Sequence, residues 1–297
     1  MLAPIVEIFC DIDDFCKHWF KESSLYLLPS EKRKRQRSCR MSASEIMSIV
    51  ILFHLRHYRT FKDYYRDCVQ HDLKHYFPDL VSYNRFTEIM SSVLMPLTAY
   101  LYSRLGEKTG LYYVDSTPLE VCHNKRIYRH KTFKGIAERG KTSMGWFFGF
   151  KLHVVINQKG ELVAFCITKG NVGDRVPLEQ LFKNLEGLAA GDKGYISQKK
   201  ADSLLAKGLR LITRVKRNMK EKTMNLFERF FLNHRGLVET VIDQLKSICH
   251  VDHSRHRKPD NFVINLVAGL MAYTLKPRKP ALNLHSKIGN NKFLTSS

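Results

Sequence analysis

The sequence predicts an α/β protein in which a mixed sheet is flanked by helices and preceded by an all-helical region. Three observations carry that expectation. Residues 1–108 read as helices, with long apolar runs and helix start signals. From residue 109 the pattern changes to short runs rich in β-branched and aromatic residues, alternating with helical periods. The stretches at 235–251 and 259–275 then return to apolar helical patterns.

The elements follow in chain order. SASEIMSIVILFHLRHY opens on Ser42 and Glu45, the capping-box spacing in which each side chain takes the other's backbone N–H. FKDYYRDCVQ and VSYNRFTEIMSSVLMPLTAYLYSRL read as further helices, the second kinked near Pro96. No Gly/Ser linker follows, and the boundary falls around Gly106–Gly110. LYYVDSTPLEV is a strand expected to stop at Pro118, and WFFGFKLHVVIN and ELVAFCITKG flank QKG as a hairpin. PLEQLFKNLEGL reads as a helix, and AAGDKGY as a short buried strand ending in a turn. SQKKADSLLAKG is a helix closed by Gly208, RLITRVKR a strand, and RGLVETVIDQLKSICHV and PDNFVINLVAGLMAYTL closing helices. Three strands, a helix, a strand, a helix, a strand and then helices is the order of a ribonuclease-H-like fold. This gives a helical region at 1–108 and an α/β domain at 109–276. A polar, Pro-containing tail at 277–297 is expected to be disordered.

Charge narrows the class of partner. The chain of 297 residues carries a net +21, distributed as +3 over residues 1–110 and +18 over 111–297. The α/β segment is therefore the basic one, as neutralising a nucleic-acid backbone requires. The seven cysteines are scattered without a Cys-x-x-Cys pair, which argues against a zinc site or disulfide framework and for reduced thiols. The N-terminus turns acidic without a basic segment, unlike a secretory signal, and Phe262 to Leu275 is too short for a membrane span. A cytoplasmic, nucleoid-associated protein is expected.

Three acidic residues stand out. Asp115 falls inside the apolar run GLYYVDSTPLEVC, where a charge is costly unless paired or metal-bound; a strand-end Asp capping the Ser116–Pro118 turn is the alternative. Asp192 sits where a short strand reaches the turn GDKGY, and ligands gather at the carboxyl ends of strands in open α/β sheets. Its rival, Asp174 in GNVGDRVP, precedes a helix and reads as an N-cap. Glu239 lies on a helix whose Val238, Val241, Leu245 and Ile248 form an apolar face, with Glu239, Asp243 and Lys246 on the adjacent one. An ordinary solvated face is the alternative there. Two carboxylates near strand ends and one on a late helix can hold a pair of divalent cations for in-line displacement at a phosphodiester. That chemistry belongs to a nuclease or a strand-transferring relative.

Basic residues suit the same substrate with less specificity. Arg235 and Lys246 can hold phosphates or bases, Arg in a bidentate manner, with ordinary surface charge as the alternative. Lys193 follows Asp192 directly, and Lys125, Arg126 and Arg129 crowd a loop interleaved with His123, Tyr128 and His130. EKRKRQRSCR at 31–40 is a further candidate for backbone contact or an exposed loop, and SYNRFTE for a recognition helix or one member of a plain helical bundle.

Through YYVDSTPL, GWFFGFKLH, GDKGY and RGLVETVIDQLK the chain resembles the DDE transposases of bacterial insertion sequences. It is most similar to the insertion sequence 982 family, whose N-terminal helical region is also similar. Related transposases carry Tyr, two residues, Arg, three residues, Glu, six residues, Lys. Arg235, Glu239 and Lys246 keep that spacing, with Leu232 at the Tyr position. The resemblance implies that Asp115, Asp192 and Glu239 are catalytic and bind two Mg²⁺ ions, replaceable by Mn²⁺. It further implies double-stranded DNA partners (terminal inverted repeats and target), transfer of a freed 3′-hydroxyl, and a homodimer joining two ends.

Overall fold

The computed structural model describes residues 5–26, 39–143, 145–214, 223–252 and 256–282. Most of the basic run at 31–40 and the tail beyond 282 lie outside the described residues. The chain forms two compact units, one from residues 1–104, 126–134 and 244–277, the other from 105–125, 135–243 and 278–297.

The first unit is helical. It begins with α1 (Ile5–Tyr26), α2 (Ala43–Leu55), α3 (Phe61–Asp63), α4 (Tyr83–Ile89) and α5 (Leu94–Ser103). Ser42 and Glu45 close the capping box at α2, with Glu45 N–H donating to Ser42 Oγ at 3.1 Å and Ser42 N–H to Glu45 Oε2 at 2.6 Å. α2 is buried almost all round, as a helix without a polar face must be. FKDYYRDCVQ is more irregular than a single α-helix: after α3 it continues as a π-helix over Tyr64–Asp72. The break expected at Pro96 falls one turn earlier, where Met90–Val93 tightens into a 3₁₀ turn between α4 and α5. Proline lacks the N–H for the carbonyl four residues back and its ring crowds that group, so the distortion lies N-terminal to it.

The second unit is built on a six-stranded mixed sheet: β1 (Leu111–Cys122), β2 (Glu138–Thr142), β3 (Gly145–Asn157), β4 (Leu162–Lys169), β5 (Gly187–Gly191) and β6 (Leu209–Thr213). The spatial order is β2-β3-β1-β5-β6, with β4 also on β3. β2 and β4 share one edge of β3, β2 against Gly145–Gly149 and β4 against Phe150–Ile156. β1 runs antiparallel to β3 and parallel to β5, and β5 is parallel to β6. Helices α6 (Leu178–Leu181), α7 (Gln198–Leu205) and α8 (Leu226–Asn233) belong to this unit. α9 (Gly236–Ser247) begins in it, and α10 (Pro259–Thr274) returns the chain to the helical unit. A mixed α/β sheet flanked by helices and preceded by a helical region is thus the architecture.

Two local expectations are corrected, and one strand was not expected. β1 does not stop at Pro118: beyond Val114 it is paired only with β3, so a residue without an N–H costs nothing on the open edge. PLEQLFKNLEGL contains a single helical turn, followed by Asn184 in the left-handed region at φ 62. The strand ERGKT has almost no strand-forming side chains and owes its conformation to pairing with β3.

Alternation along β1 assigns its two faces. Tyr112 and Val114 join Val155, Leu178, Leu181, Phe182, Leu204 and Leu209 in a buried apolar core. Tyr113 points the other way and stacks on Phe231 of α8 at 4.3 Å, its hydroxyl donating to the Phe231 carbonyl at 3.1 Å. α8 is held at its start as well. Asn225 and Glu228 form a capping box, and buried Glu228 receives Arg210 of β6 at 2.6 and 3.1 Å. All seven cysteines are free thiols, and among the described residues no helix is long and apolar enough to cross a membrane.

Candidate active site

The parallel ladder between β1 and β5 ends at the pair Val114–Gly191. The next residue on each strand is an aspartate, so register alone sets Asp115 and Asp192 side by side where the two strands part. A Cβ on Gly191 would lie 3.0 Å from Val114 Cγ1 and 3.2 Å from Tyr195 Cδ2, so the close approach depends on the missing side chain. Period-2 alternation sends Asp115 to the same face as Tyr113, which is the face covered by α8.

The third carboxylate arrives through α8. Fixed by the Tyr113–Phe231 stack and the Arg210–Glu228 pair, α8 ends at Asn233, and after two intervening residues α9 begins at Gly236. Arg235 lies in that junction and Glu239 in the first turn of α9. The Arg235 guanidinium reaches all three acids: Nη2 is 2.5 Å from Glu239 Oε1 and 3.8 Å from Asp192 Oδ1, and Nη1 is 3.7 Å from Asp115 Oδ2. Only 16% of the Arg235 side chain is exposed, against 49% of Asp192 and 56% of Glu239.

Asp115 is the most enclosed of the three acids, at 21% side-chain exposure. Burial pushes its carboxyl up to about 6. The Ser116 N–H and Arg235 oppose that shift, and the charges of Asp192 and Glu239 add to it. The Ser116 N–H donates to Asp115 Oδ1 at 2.8 Å, which fixes the carboxylate's orientation.

Three carboxylates offer only oxygen donors, the chemistry of a hard divalent cation. Among the described residues, no three His, Cys, Asp or Glu side chains close around a common point as a finished ligand sphere. The carboxylates converge instead on a guanidinium, a cation seated where their charges meet. The donor set therefore fits a divalent ion in chemistry and sign of charge.

Asp174 is no helix N-cap: α6 follows Pro177, which makes no side-chain cap bond. Its Oδ1 accepts from Ser116 Oγ at 3.0 Å and from Lys151 Nζ at 3.0 Å, while Lys151 Nζ also donates to the Val172 carbonyl at 3.1 Å. Ser116, Lys151 and His153 share the sheet face opposite Asp115, as the pairs Ser116–His153 and Pro118–Lys151 require. Asp174 is thus engaged by a buried lysine on the far side of the sheet. The signal for this network was a lysine inside the apolar run FFGFKLHVVIN, a charge that needs a partner.

The remaining basic residues are spread over both units. Lys193, beside Asp192, and Lys125 are exposed in the sheet unit, whereas exposed Arg126 and Arg129 belong to the helical unit. Lys246 is half-buried two turns beyond Glu239 on α9. Leu232, at the Tyr position of the signature, is 3% exposed and packs in the core.

The model of the family described as "Transposase DDE domain" matches residues 105–259, more than half of the chain. Among curated proteins no sequence matches. A cryo-EM structure of piggyBac transposase in a synaptic complex with hairpin DNA is similar over 90% of this chain and 70% of that one, at 13% identity and a TM-score of 0.48. With its three carboxylates inside the matched segment, the chain belongs to the DDE transposase domain family.

Proposed function

We propose that this transposase cuts double-stranded DNA at the terminal inverted repeats of an insertion sequence and joins the freed 3′-hydroxyl to target DNA. The observation that supports this most is the convergence of Asp115, Asp192 and Glu239 on one guanidinium within the family-matched segment. In this reading the three carboxylates hold two Mg²⁺ ions, with Mn²⁺ as a substitute. When bound, these lend Lewis-acid stabilisation to the attacking and leaving oxygens of a phosphodiester. The Ser116 N–H keeps the Asp115 carboxylate aimed into the site. Arg235, relieved of its anionic partners, turns its fork to a DNA phosphate, a geometry suited to bidentate contact. Lys193, Lys125, Arg126, Arg129 and Lys246 add phosphate contacts, and residues 1–108 bind the element ends. Two copies of the chain pair the two ends.

The test is incubation of the full chain with labelled element ends and a plasmid target in Mg²⁺, scoring nicked and joined products separately. Asp115→Asn, Asp192→Asn and Glu239→Gln are each expected to abolish cleavage while DNA binding persists. Cleavage retained by any one variant removes that residue from the site. Nicking without joined products reduces the protein to a nuclease.

A further inference from the structure

Trp146 is 56% exposed at the beginning of β3. Two cations from β2 sit over its ring: Arg139 Cζ at 5.9 Å and Lys141 Nζ at 5.7 Å from the centroid. The register explains the cluster. Lys141 is directly opposite Trp146 and Arg139 opposite Phe148, so all four side chains share a face, and both cations are themselves exposed. The carbonyl of Trp146 accepts from Asn124 Nδ2 at 2.5 Å, which ties this end of the strand to the chain following β1.

Cross-strand cation–π contacts at an exposed site stabilise the hairpin modestly and leave more than half of the tryptophan open to a ligand. The position along the sheet adds a second argument. Trp146 and Val154 are eight residues apart on β3 and have the same parity, and Val154 is paired with Asp115. The tryptophan therefore lies on the sheet face that carries Asp115. Its distance from that level is ~26 Å at ~3.3 Å per residue. This corresponds to about seven or eight nucleotide steps of a strand at 3.4 Å each. An exposed aromatic face between two cations, within a segment carrying +18, is the chemistry that receives a base and its phosphate.

We propose that Trp146, with Arg139 and Lys141, is a stacking site for an unpaired base of the DNA strand whose backbone passes the Asp115 carboxylate. Trp146 takes the base on its open face while the two cations hold the flanking phosphates. A paired base inside a duplex presents no face to the ring, so the site selects single-stranded DNA. The inference rests on the reading of the chain as a DNA-cutting enzyme.

The full chain contains two tryptophans, so Trp19→Phe leaves Trp146 as the sole source of indole emission under tryptophan-selective excitation. This protein is titrated, without divalent ions, with a blunt duplex and with the same duplex bearing a single-stranded overhang; anisotropy of the labelled DNA reports binding in parallel. Emission is expected to be quenched by the overhang probe in step with binding, and not by the blunt one. Trp146→Ala should weaken overhang binding roughly fivefold or more, as the loss of one base stack does, with the blunt affinity unchanged. Trp146→Tyr should restore most of it, and Arg139→Ser and Lys141→Ser should each lower the salt slope by about 1. Unquenched emission at saturation overturns the proposal, and that measurement uses no Trp146 variant that could misfold. Cleavage without quenching overturns this site alone, whereas a protein that binds no DNA overturns the DNA-cutting reading with it.

Discussion

Arg235 bears the electrostatic balance of the acidic cluster. Without a cation among them, three carboxylates from positions 115, 192 and 239 would repel one another, and the guanidinium stands where that repulsion is greatest. The Asp115 carboxyl is raised to about 6 from an ordinary 3.8 chiefly by burial, with Arg235 opposing the shift and the charges of Asp192 and Glu239 adding less to it. The sign of the consequence follows. Above about pH 6 the folded protein bears the full cost of the buried charge, and as pH falls toward 3.8 protonation relieves it. A divalent ion needs the ionised form, so protons compete with it. Lowering the pH from 7 to 5 should weaken Mg²⁺ binding roughly tenfold, read by isothermal titration calorimetry. A flat profile would remove Asp115 from the ligand set.

At the scale of elements, the ladder between β1 and β5 and the docking of α8 bring together residues far apart in the chain. Asp115, Asp192 and Glu239 could be singled out from the sequence, since each carries a signal in its own run: a charge in an apolar strand, a strand-end turn, a helix with one apolar face. Arg235 was legible only through the Arg–Glu–Lys spacing shared with the transposases the chain resembles. The acids' common contact with one guanidinium could not be read, because it depends on strand register and on the Tyr113–Phe231 stack. The strand Glu138–Thr142 was hidden for a similar reason, its conformation coming from β3 rather than from its own residues. Asp174 misled because an Asp after glycine and shortly before a helix has the local signature of a cap, while its partners Ser116 and Lys151 are brought by the sheet. That ion pair is largely enclosed, so Lys151→Met, which leaves Asp174 with Ser116 alone, should cost about 2 kcal/mol in urea unfolding. Asp174→Asn keeps an acceptor for Ser116 and should retain cleavage within roughly tenfold of the parent. A dead Asp174→Asn enzyme with an intact fold would move that residue into the ligand set.

For the whole molecule the sharpest expectation concerns acid. His54 in the helical unit and His153 in the sheet unit are each at most 1% exposed, and burial pushes both down to about 4 from 6.5. The unfolded chain takes up these protons first. Stability is therefore complete above pH 6.5 and lost as the pH falls through the window to about 4. Each histidine is worth roughly 3 kcal/mol across that window, whereas Asp115 returns about the same amount only once, so the histidines prevail. Urea midpoints should fall steadily from pH 6.5 to 4, and His153→Gln should flatten part of the slope. An unchanged midpoint would mean that neither ring is held neutral. The ladder that stops at Val114 and Gly191 has a consequence for descent as well as for chemistry. The gap between Asp115 and Asp192 is measured by hydrogen bonds across two strands and not by the 77 positions of chain between them. Intervening loops can lengthen or shorten without moving either acid, because loop length costs little. One residue added inside Leu188–Gly191 would turn Asp192 to the other side of the sheet. Length variation among relatives should collect outside these two short runs and leave them untouched.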